Sequence, residues 1–171
     1  MPVEIERKFL VADESWRQDA DQGVKIVQGY LVNVNECSVR VRMRGNGVCT
    51  LTTKLPHSGF SRYEFEHTIE HDVARDLLSR CGDAVVDKVR YKIEHEGLIW
   101  EIDAFNGLNE GLTVAEVELE HEDQPFTRPA WLGEEVTGDA RYQNSMLARH
   151  PFRDWPDTQE GTPELALSNL V

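Results

Sequence analysis

The sequence predicts a mainly β domain of the α+β class, in which helices flank an antiparallel sheet. Apolar and charged residues alternate along much of the chain from residue 3 to about residue 120, which is the two-residue period of strands. Glycine-containing turn signals separate the alternating segments, as expected for hairpins. Segments between and after the strands carry the apolar spacing of helices instead.

Eight strands are predicted in the first 120 residues. In the first strand Glu4, Glu6 and Lys8 occupy every second position, so they share one face. Asn46-Gly47 predicts a type I′ turn between the third and fourth strands, because that turn needs positive φ at both central residues. The predicted strands are Val3–Leu10, Gln28–Val32, Ser38–Arg44, Val48–Leu55, Arg62–Glu70, Ala84–His95, Leu98–Phe105 and Thr113–Glu120.

Three helices are predicted around these strands. Asp72–Cys81 has an acidic start, apolar positions at helical spacing and Gly82 as a stop signal. A shorter helix is predicted at Glu14–Ala20. Near the end of the chain, Asp139 can cap a helix that runs to Arg149.

Length and composition narrow the class of protein. The 171 residues suffice for one domain, which we place at residues 1–155, with residues 156–171 as a flexible tail. A formal net charge of −13 argues against a nucleic-acid partner, which needs a broad basic surface. No apolar run approaches the roughly 20 residues of a membrane span and no signal peptide is present, so we expect no membrane partner and a cytoplasmic protein.

The charged faces of the predicted strands are sorted by sign. Arg40, Arg42 and Arg44 form one row with about 7 Å between neighbours, and such a row favours binding of anions. The rows of glutamate favour cations in the same way. The charged alternate positions are Glu4, Glu6, Lys8, Arg40, Arg42, Arg44, Lys54, Glu64, Glu66, Lys88, Arg90, Lys92, Glu101, Asp103, Glu116 and Glu118.

Two arrangements of these faces fit the pattern. The strands can form an open sheet whose charged face meets water, which is the common origin of alternation. Alternatively, they can close into a barrel with the charged rows inside and the apolar rows packed against helices. A barrel of about eight strands has room for a small ligand. Its interior would place Arg and Lys around phosphate groups and Glu around Mg²⁺ or Mn²⁺.

One family shares these motifs in the same order. Glu4-x-Glu6-x-Lys8 resembles the E-x-E-x-K signature of the CYTH, or triphosphate tunnel metalloenzyme, superfamily. The segments Trp131–Gly138 and Tyr142–Ser145 resemble the C-terminal part of its short, single-domain bacterial members, so the resemblance covers roughly residues 2–155. The other matching blocks are Gln28–Leu31, Val39–Arg42, Leu51–Lys54, Ser61–Glu66, Lys88–Tyr91, Trp100–Asp103 and Ala115–Glu118.

The resemblance implies a fold and a set of residue roles. The fold is an eight-stranded antiparallel closed β-barrel, or tunnel, with flanking helices and a C-terminal helix near one mouth. The implied metal ligands are Glu4, Glu6, Glu64, Glu66, Glu116 and Glu118, for Mg²⁺ or Mn²⁺. The implied phosphate contacts are Lys8, Arg40, Arg42, Lys54 and Arg90.

The remaining charged residues receive other roles. We expect Lys88 to activate the attacking water, with a plain phosphate contact as the alternative. Glu101 and Asp103 are expected to orient the basic residues. Arg44 and Lys92 are expected at strand ends, exposed to solvent.

The reaction expected from the resemblance is metal-dependent hydrolysis of a triphosphate, most simply inorganic tripolyphosphate to pyrophosphate and phosphate. The alternatives are a class IV type adenylate cyclase, a thiamine or nucleoside triphosphatase, and a polyphosphate-binding module without turnover. The expected partner is therefore a small-molecule triphosphate, and the family also suggests a homodimer.

Overall fold

The structure, a computed structural model, describes residues 3–35, 37–57 and 61–156. Nine strands lie within these ranges: β1 Val3–Val11, β2 Val24–Val34, β3 Cys37–Arg44, β4 Cys49–Pro56, β5 Ser61–Thr68, β6 Val85–His95, β7 Leu98–Phe105, β8 Thr113–Glu118 and β9 Leu132–Glu135. The helices are α1 His71–Ser79 and α2 Asn144–Leu147. Single 3-10 turns occur at Glu14–Gln18, Gly107–Asn109, Ala140–Tyr142 and Phe152–Asp154.

The first eight strands close into an antiparallel barrel. Their order around the barrel is β5-β4-β3-β2-β6-β7-β8-β1, and β5 pairs with β1 to complete the circle. This closing ladder is short, since it runs only from the Val3–Tyr63 pair to the Ile5–Ser61 pair. The eight-stranded antiparallel barrel implied by the resemblance is therefore confirmed, and the open sheet is excluded.

The ninth strand, β9, was not predicted from the sequence. It pairs with the end of β1, where Phe9 lies opposite Glu135 and Val11 opposite Leu132. Phe9 also pairs with Ala115 of β8, so β9 occupies the other edge of β1. β5 and β9 thus pair with the same edge of β1, β5 at its start and β9 at its end. With β8 on the other edge, β1 has three partner strands.

Apolar side chains lie on the outside of the barrel, under the helices and loops. Phe9 and Trp100 are fully buried there beneath Trp16 of the first 3-10 turn and Trp131. Another outer cluster lies under α1, where Ala74 is fully buried. A third cluster lies on the inner face at one end of the barrel, because Phe105 pairs with Lys88 there, and Leu147 of the C-terminal segment packs against it. Burial of these outer faces leaves the charged faces inside, as the barrel arrangement requires.

The β3–β4 hairpin is confirmed, but its predicted turn type is wrong. Gly47 has a φ of 87°, whereas Asn46 does not adopt positive φ. The Gly47 N–H donates to the Arg44 carbonyl and the Arg44 N–H donates to the Val48 carbonyl, each at 2.9 Å. This is a three-residue loop in which only Gly47 takes the left-handed conformation.

The C-terminal helix predicted from Asp139 to Arg149 is also wrong as a continuous helix. Asp139 does cap a helical element, because its side chain accepts from the Arg141 N–H, but this element is only the 3-10 turn at 140–142. Gln143 is extended, with φ −70° and ψ 134°, and it separates that turn from the four-residue α2. The shorter prediction at Glu14–Ala20 is likewise a 3-10 turn rather than an α-helix.

The predicted tail, residues 156–171, lies outside the described residues except for Pro156. The boundary of the domain at residue 155 therefore stays a prediction. The longest helix in the described part of the chain is α1, with nine residues, and no helix there is long and apolar enough to cross a membrane.

Candidate active site

The barrel encloses a charged cavity of about 1230 Å³. Eleven of the twelve predicted site residues line it, and the exception is Lys88. Those eleven are Glu4, Glu6, Lys8, Arg40, Arg42, Lys54, Glu64, Glu66, Arg90, Glu116 and Glu118. The two-residue period of the strands brings these side chains together although they are as far apart in sequence as Glu4 and Glu118.

The basic wall of the cavity contains a guanidinium group without a carboxylate partner. Arg42 is 6% exposed, and its Nε donates to the Gln28 side-chain carbonyl at 3.0 Å. Within the described ranges no carboxylate lies within 4.0 Å of Arg42. Burial, together with the neighbouring Arg40, Arg90 and Arg44, lowers the pKa of Arg42 to about 9. This wall therefore favours binding of an anion.

Arg40 lies beside Arg42, and its guanidinium group also has fewer hydrogen-bond acceptors than N–H donors. Its Nη2 donates to the Thr52 hydroxyl at 3.2 Å and lies 3.8 Å from Glu66 Oε2. Its Nε is buried without a hydrogen-bond partner in the described part of the chain. Since Arg40 is 7% exposed, a ligand in the cavity is the natural acceptor for this donor.

The opposite side of the cavity carries an excess of negative charge. Burial and the neighbouring Glu6 and Glu64 raise the pKa of Glu4 to about 7, although Lys54 Nζ lies 2.5 Å from Glu4 Oε2. Lys54 also contacts Glu64 at 2.7 Å, and despite burial it holds the pKa of Glu64 below its ordinary value. Lys54 is thus the partner of both Glu4 and Glu64, so a net negative charge remains when both carboxylates are ionised.

Glu118 also lies among an excess of negatively charged side chains. Burial and the carboxylates of Glu6, Glu64 and Glu101 raise its pKa. A cation bound among these oxygen atoms would relieve the repulsion, and carboxylate oxygens suit a hard divalent ion. The described residues nevertheless contain no cluster of three or more His, Cys, Asp or Glu side chains already arranged around a common point.

A dense ion-pair network joins side chains of β1, β6, β7 and β8. Arg90 donates from Nε to Asp103 Oδ1 and from Nη2 to Glu116 Oε2, each at 2.7 Å, and it also contacts Glu101. Lys8 contacts Glu116 and lies 3.0 Å from Glu6. Glu101 and Asp103 therefore contact basic residues, as expected. Glu116, a predicted metal ligand, is paired with two cations in this structure.

Lys88 lies on the inner face of the barrel, in the same row as Arg90, but it is buried at the end that the C-terminal segment covers and is not exposed to the open cavity. It is fully buried, with Nζ 2.5 Å from Asp103 Oδ2 and 2.9 Å from Asn144 Oδ1. Burial, reinforced by Arg90 and Arg42, lowers the pKa of Lys88 to about 7 and outweighs the opposite effect of Asp103. Lys88 is thus inside the barrel but not on the surface of the open cavity, and its role in the reaction stays a prediction.

Several residues of the site were missed or misjudged from the sequence. Arg44 was expected to be solvent-exposed, but its side chain is 23% exposed, lines the cavity and lies 3.7 Å from Glu66. Arg62 also lines the cavity, and its position two residues before Glu64 was a usable signal. Gln28 and Asn144 are uncharged, so a search for charged rows could not find them.

Comparisons with known proteins identify the family of this chain. Residues 2–149 match the family model of the CYTH domain. An inorganic triphosphatase of Acetivibrio thermocellus is 42% identical over 158 residues, which cover 92% of this chain and 100% of the relative. An inorganic triphosphatase of Nitrosomonas europaea is 38% identical over 149 residues, covering 85% of this chain and 97% of the relative.

A solved structure is similar to this chain in fold as well as in sequence. The crystal structure of an inorganic triphosphatase has a TM-score of 0.63 and 36% identity to this chain, and covers 86% of this chain and 95% of its own. The match of the family model to most of the chain, the two full-length relatives and this structure converge on one family. The chain belongs to the CYTH domain family.

Proposed function

We propose that this chain is a metal-dependent inorganic triphosphatase, which hydrolyses tripolyphosphate to pyrophosphate and phosphate in the barrel cavity. The proposal is supported by the inorganic triphosphatases to which the chain is similar over most of its length. The observation that carries it is that one cavity contains both buried arginines that favour an anion and carboxylates that favour a cation. Among the described residues, buried Arg42 has no carboxylate within 4.0 Å and buried Arg40 has only Glu66, at 3.8 Å. Burial and neighbouring carboxylates raise the pKa values of Glu4 and Glu118 elsewhere in the cavity.

A complex of a triphosphate with a divalent cation would supply an anion to the arginines and a cation to the carboxylates. Arg40 and Arg42 would bind phosphate oxygens through their guanidinium forks, and Lys8, Lys54 and Arg90 would add further donors. The cavity exceeds the roughly 300–1,000 Å³ of common ligand sites, so it has room for the anion with hydrated ions. Binding would pull Arg90 and Lys8 away from a purely internal network toward the substrate.

CYTH triphosphatases are metal-dependent. For this chain we propose Mg²⁺ or Mn²⁺, held by oxygens of Glu4, Glu6, Glu64, Glu66, Glu116 and Glu118 directly or through water. The raised pKa values of Glu4 and Glu118 fit such a role, because a cation would favour their ionised forms. When bound, the ion would neutralise phosphate charge during phosphoryl transfer.

The chain's own residues supply positioning and proton control. Water attacks a terminal phosphorus, the bridging P–O bond breaks, and the proton lost by water passes to a base or to solvent. Lys88 is our candidate for that base, because its pKa near 7 leaves a large neutral fraction at physiological pH. Its complete burial requires that it act along a path opened by substrate or through a water molecule.

The test is a substrate panel. Purified protein is incubated with tripolyphosphate, ATP or thiamine triphosphate, each with Mg²⁺ or Mn²⁺ or with a chelator, and phosphate, pyrophosphate and cyclic AMP are quantified. We expect tripolyphosphate to be consumed fastest, with equal yields of pyrophosphate and phosphate, and no turnover in chelator.

Two results would contradict the proposal. Preferential formation of cyclic AMP from ATP would make the chain a cyclase. Metal-dependent binding of tripolyphosphate without any turnover would make it a polyphosphate-binding module.

A further inference from the structure

The segment after β9 covers one end of the barrel and contributes uncharged polar groups to the cavity. The Val136 N–H donates to the Lys8 carbonyl at 2.8 Å, which fixes the start of this segment on β1. The extended Gln143 then turns the chain, so that Gln143, Asn144 and Ser145 line the cavity. Asn144 is the member of this group that contacts a predicted site residue.

The contact joins Asn144 to the buried amine of Lys88. Lys88 Nζ donates to Asn144 Oδ1 at 2.9 Å and to Asp103 Oδ2 at 2.5 Å. A neutral amine has two N–H bonds and one lone pair, whereas an ammonium group has three N–H bonds. Two fixed acceptors therefore occupy both N–H bonds of the neutral form and determine where its lone pair points.

We propose that Asn144 is a positioning residue for the hydrolysis, because its side-chain carbonyl holds the Lys88 nitrogen against Asp103 and so fixes the direction of the remaining valence. This inference rests on the proposed function for its catalytic meaning, but the contact itself does not. Lys88 is buried inside the barrel and Asn144 lines the cavity, so Asn144 connects the Lys88 nitrogen to the segment that covers the barrel end.

The charged groups around Lys88 come from the barrel strands. Asp103 of β7 favours the ammonium form, Glu116 of β8 does the same, and Arg90 of β6 and Arg42 of β3 oppose it. The four residues of α2, Asn144–Leu147, contain no ionisable side chain. Asn144 is thus the uncharged partner of Lys88, and a substitution there can change the balance without removing a charge from the site.

A second, separate contact fastens the covering segment. Asn109 is 2% exposed; its Nδ2 donates to the Leu147 carbonyl at 3.3 Å, and its Oδ1 accepts from the Phe152 N–H at 2.8 Å. Asn109→Ala would loosen the segment without changing any group that contacts Lys88. It is therefore a matched control for the effect of loosening alone.

The experiment compares Asn144→Asp, Asn144→Ala and Asn109→Ala with the unmodified chain. Asn144→Asp adds a negative charge beside Lys88 and should move the pH limb assigned to Lys88 upward by about one pH unit or more. Asn144→Ala removes an acceptor from the ammonium form and should move that limb downward, with kcat reduced about tenfold and KM changed less. Asn109→Ala should lower the Tm and leave the limb in place.

The readouts are kcat and KM for tripolyphosphate across pH, and NMR titration of ¹⁵N-labelled lysine side chains in chelator. The NMR titration needs no turnover, so it tests the contact even if the chain fails to hydrolyse tripolyphosphate. Opposite shifts in the two Asn144 variants would support the proposal. The proposal would be overturned if the Lys88 limb of the pH profile did not move, if it moved in the same direction in both Asn144 variants, or if Asn109→Ala showed a matching shift. None of these results would contradict a measured triphosphatase activity.

Discussion

Replacing Arg42 with methionine should stabilise the free protein and abolish binding of its substrate. The pKa of Arg42 is lowered to about 9, compared with about 12.5–13.8 for an unperturbed arginine. At about 1.36 kcal/mol for each unit, keeping this side chain charged in the fold costs roughly 5 kcal/mol. Methionine retains most of the apolar stem and removes the charge.

The substitution also has a cost. Gln28 is fully buried and would lose the Arg42 donor, which leaves an unsatisfied carbonyl worth about 1–3 kcal/mol. We therefore expect Arg42→Met to raise the free energy of unfolding by about 2 kcal/mol, or the Tm by about 4–8 °C for a chain of this size. Because the folded-state pKa is depressed, the destabilisation in the unmodified chain is present below about pH 9 and fades above it.

Urea and thermal unfolding at pH 7.5, in chelator and without phosphate, measure this difference. Arg75→Met is the control, because Arg75 lies on the exposed surface of α1 and should change stability by less than about 0.5 kcal/mol. Added tripolyphosphate at 100 times its Kd should stabilise the unmodified chain by about 2.7 kcal/mol and Arg42→Met hardly at all. A loss of more than about 1 kcal/mol in substrate-free Arg42→Met would refute the reasoning, since Arg42 would then be satisfied without an anion.

Three further predictions concern other parts of the site and fold. Lys88→Ala should lower kcat by about 10²–10⁴ with little change in KM; an effect on KM alone would make Lys88 a phosphate contact. The raised pKa of Glu4 means that its stabilising effect is complete below about pH 4 and is lost as the pH rises through about 7, so in chelator the Tm of Glu4→Gln should decline less over this range than that of the unmodified chain. An equal decline would contradict this, and Mn²⁺ titration should show weaker binding in the variant. Gly29→Ala would place a methyl group 2.6 Å from Cys81 Sγ and should lower the free energy of unfolding by about 1–3 kcal/mol, whereas Gly45→Ala should not. Cys81→Gly in the same chain should recover part of that loss, and no recovery would locate the strain elsewhere.

The sequence was informative about the faces of the strands, because alternation is a local property of the backbone. Glu4 and Lys8 had to share a face wherever the first strand was placed, and the closed barrel turns that face inward. The sorting of Arg40 and Arg42 from the glutamates was equally visible. These features carried most of the prediction of the cavity.

Features that depend on tertiary geometry were not predictable in this way. Alternation fixes the side of a strand but not the exposure of a side chain, so it placed Lys88 on the inner face without showing that Lys88 is fully buried there. The four residues of β9 are too few for a periodic signal, and they pair only because the edge of β1 is free there. The break at Gln143 arises where Asn144 reaches Lys88, and that contact joins residues 56 apart in sequence.

The three partners of β1 have a consequence for the order of events during synthesis. β1 precedes the other eight described strands in the chain, yet it pairs with β5, β8 and β9, the last of which ends at Glu135. The barrel therefore cannot close, and Glu4, Glu6 and Lys8 cannot face their counterparts, until most of the chain has been translated. A nascent chain that ends before β8 has unpaired strand edges and no complete site, so it should depend on chaperones and should not bind triphosphate prematurely.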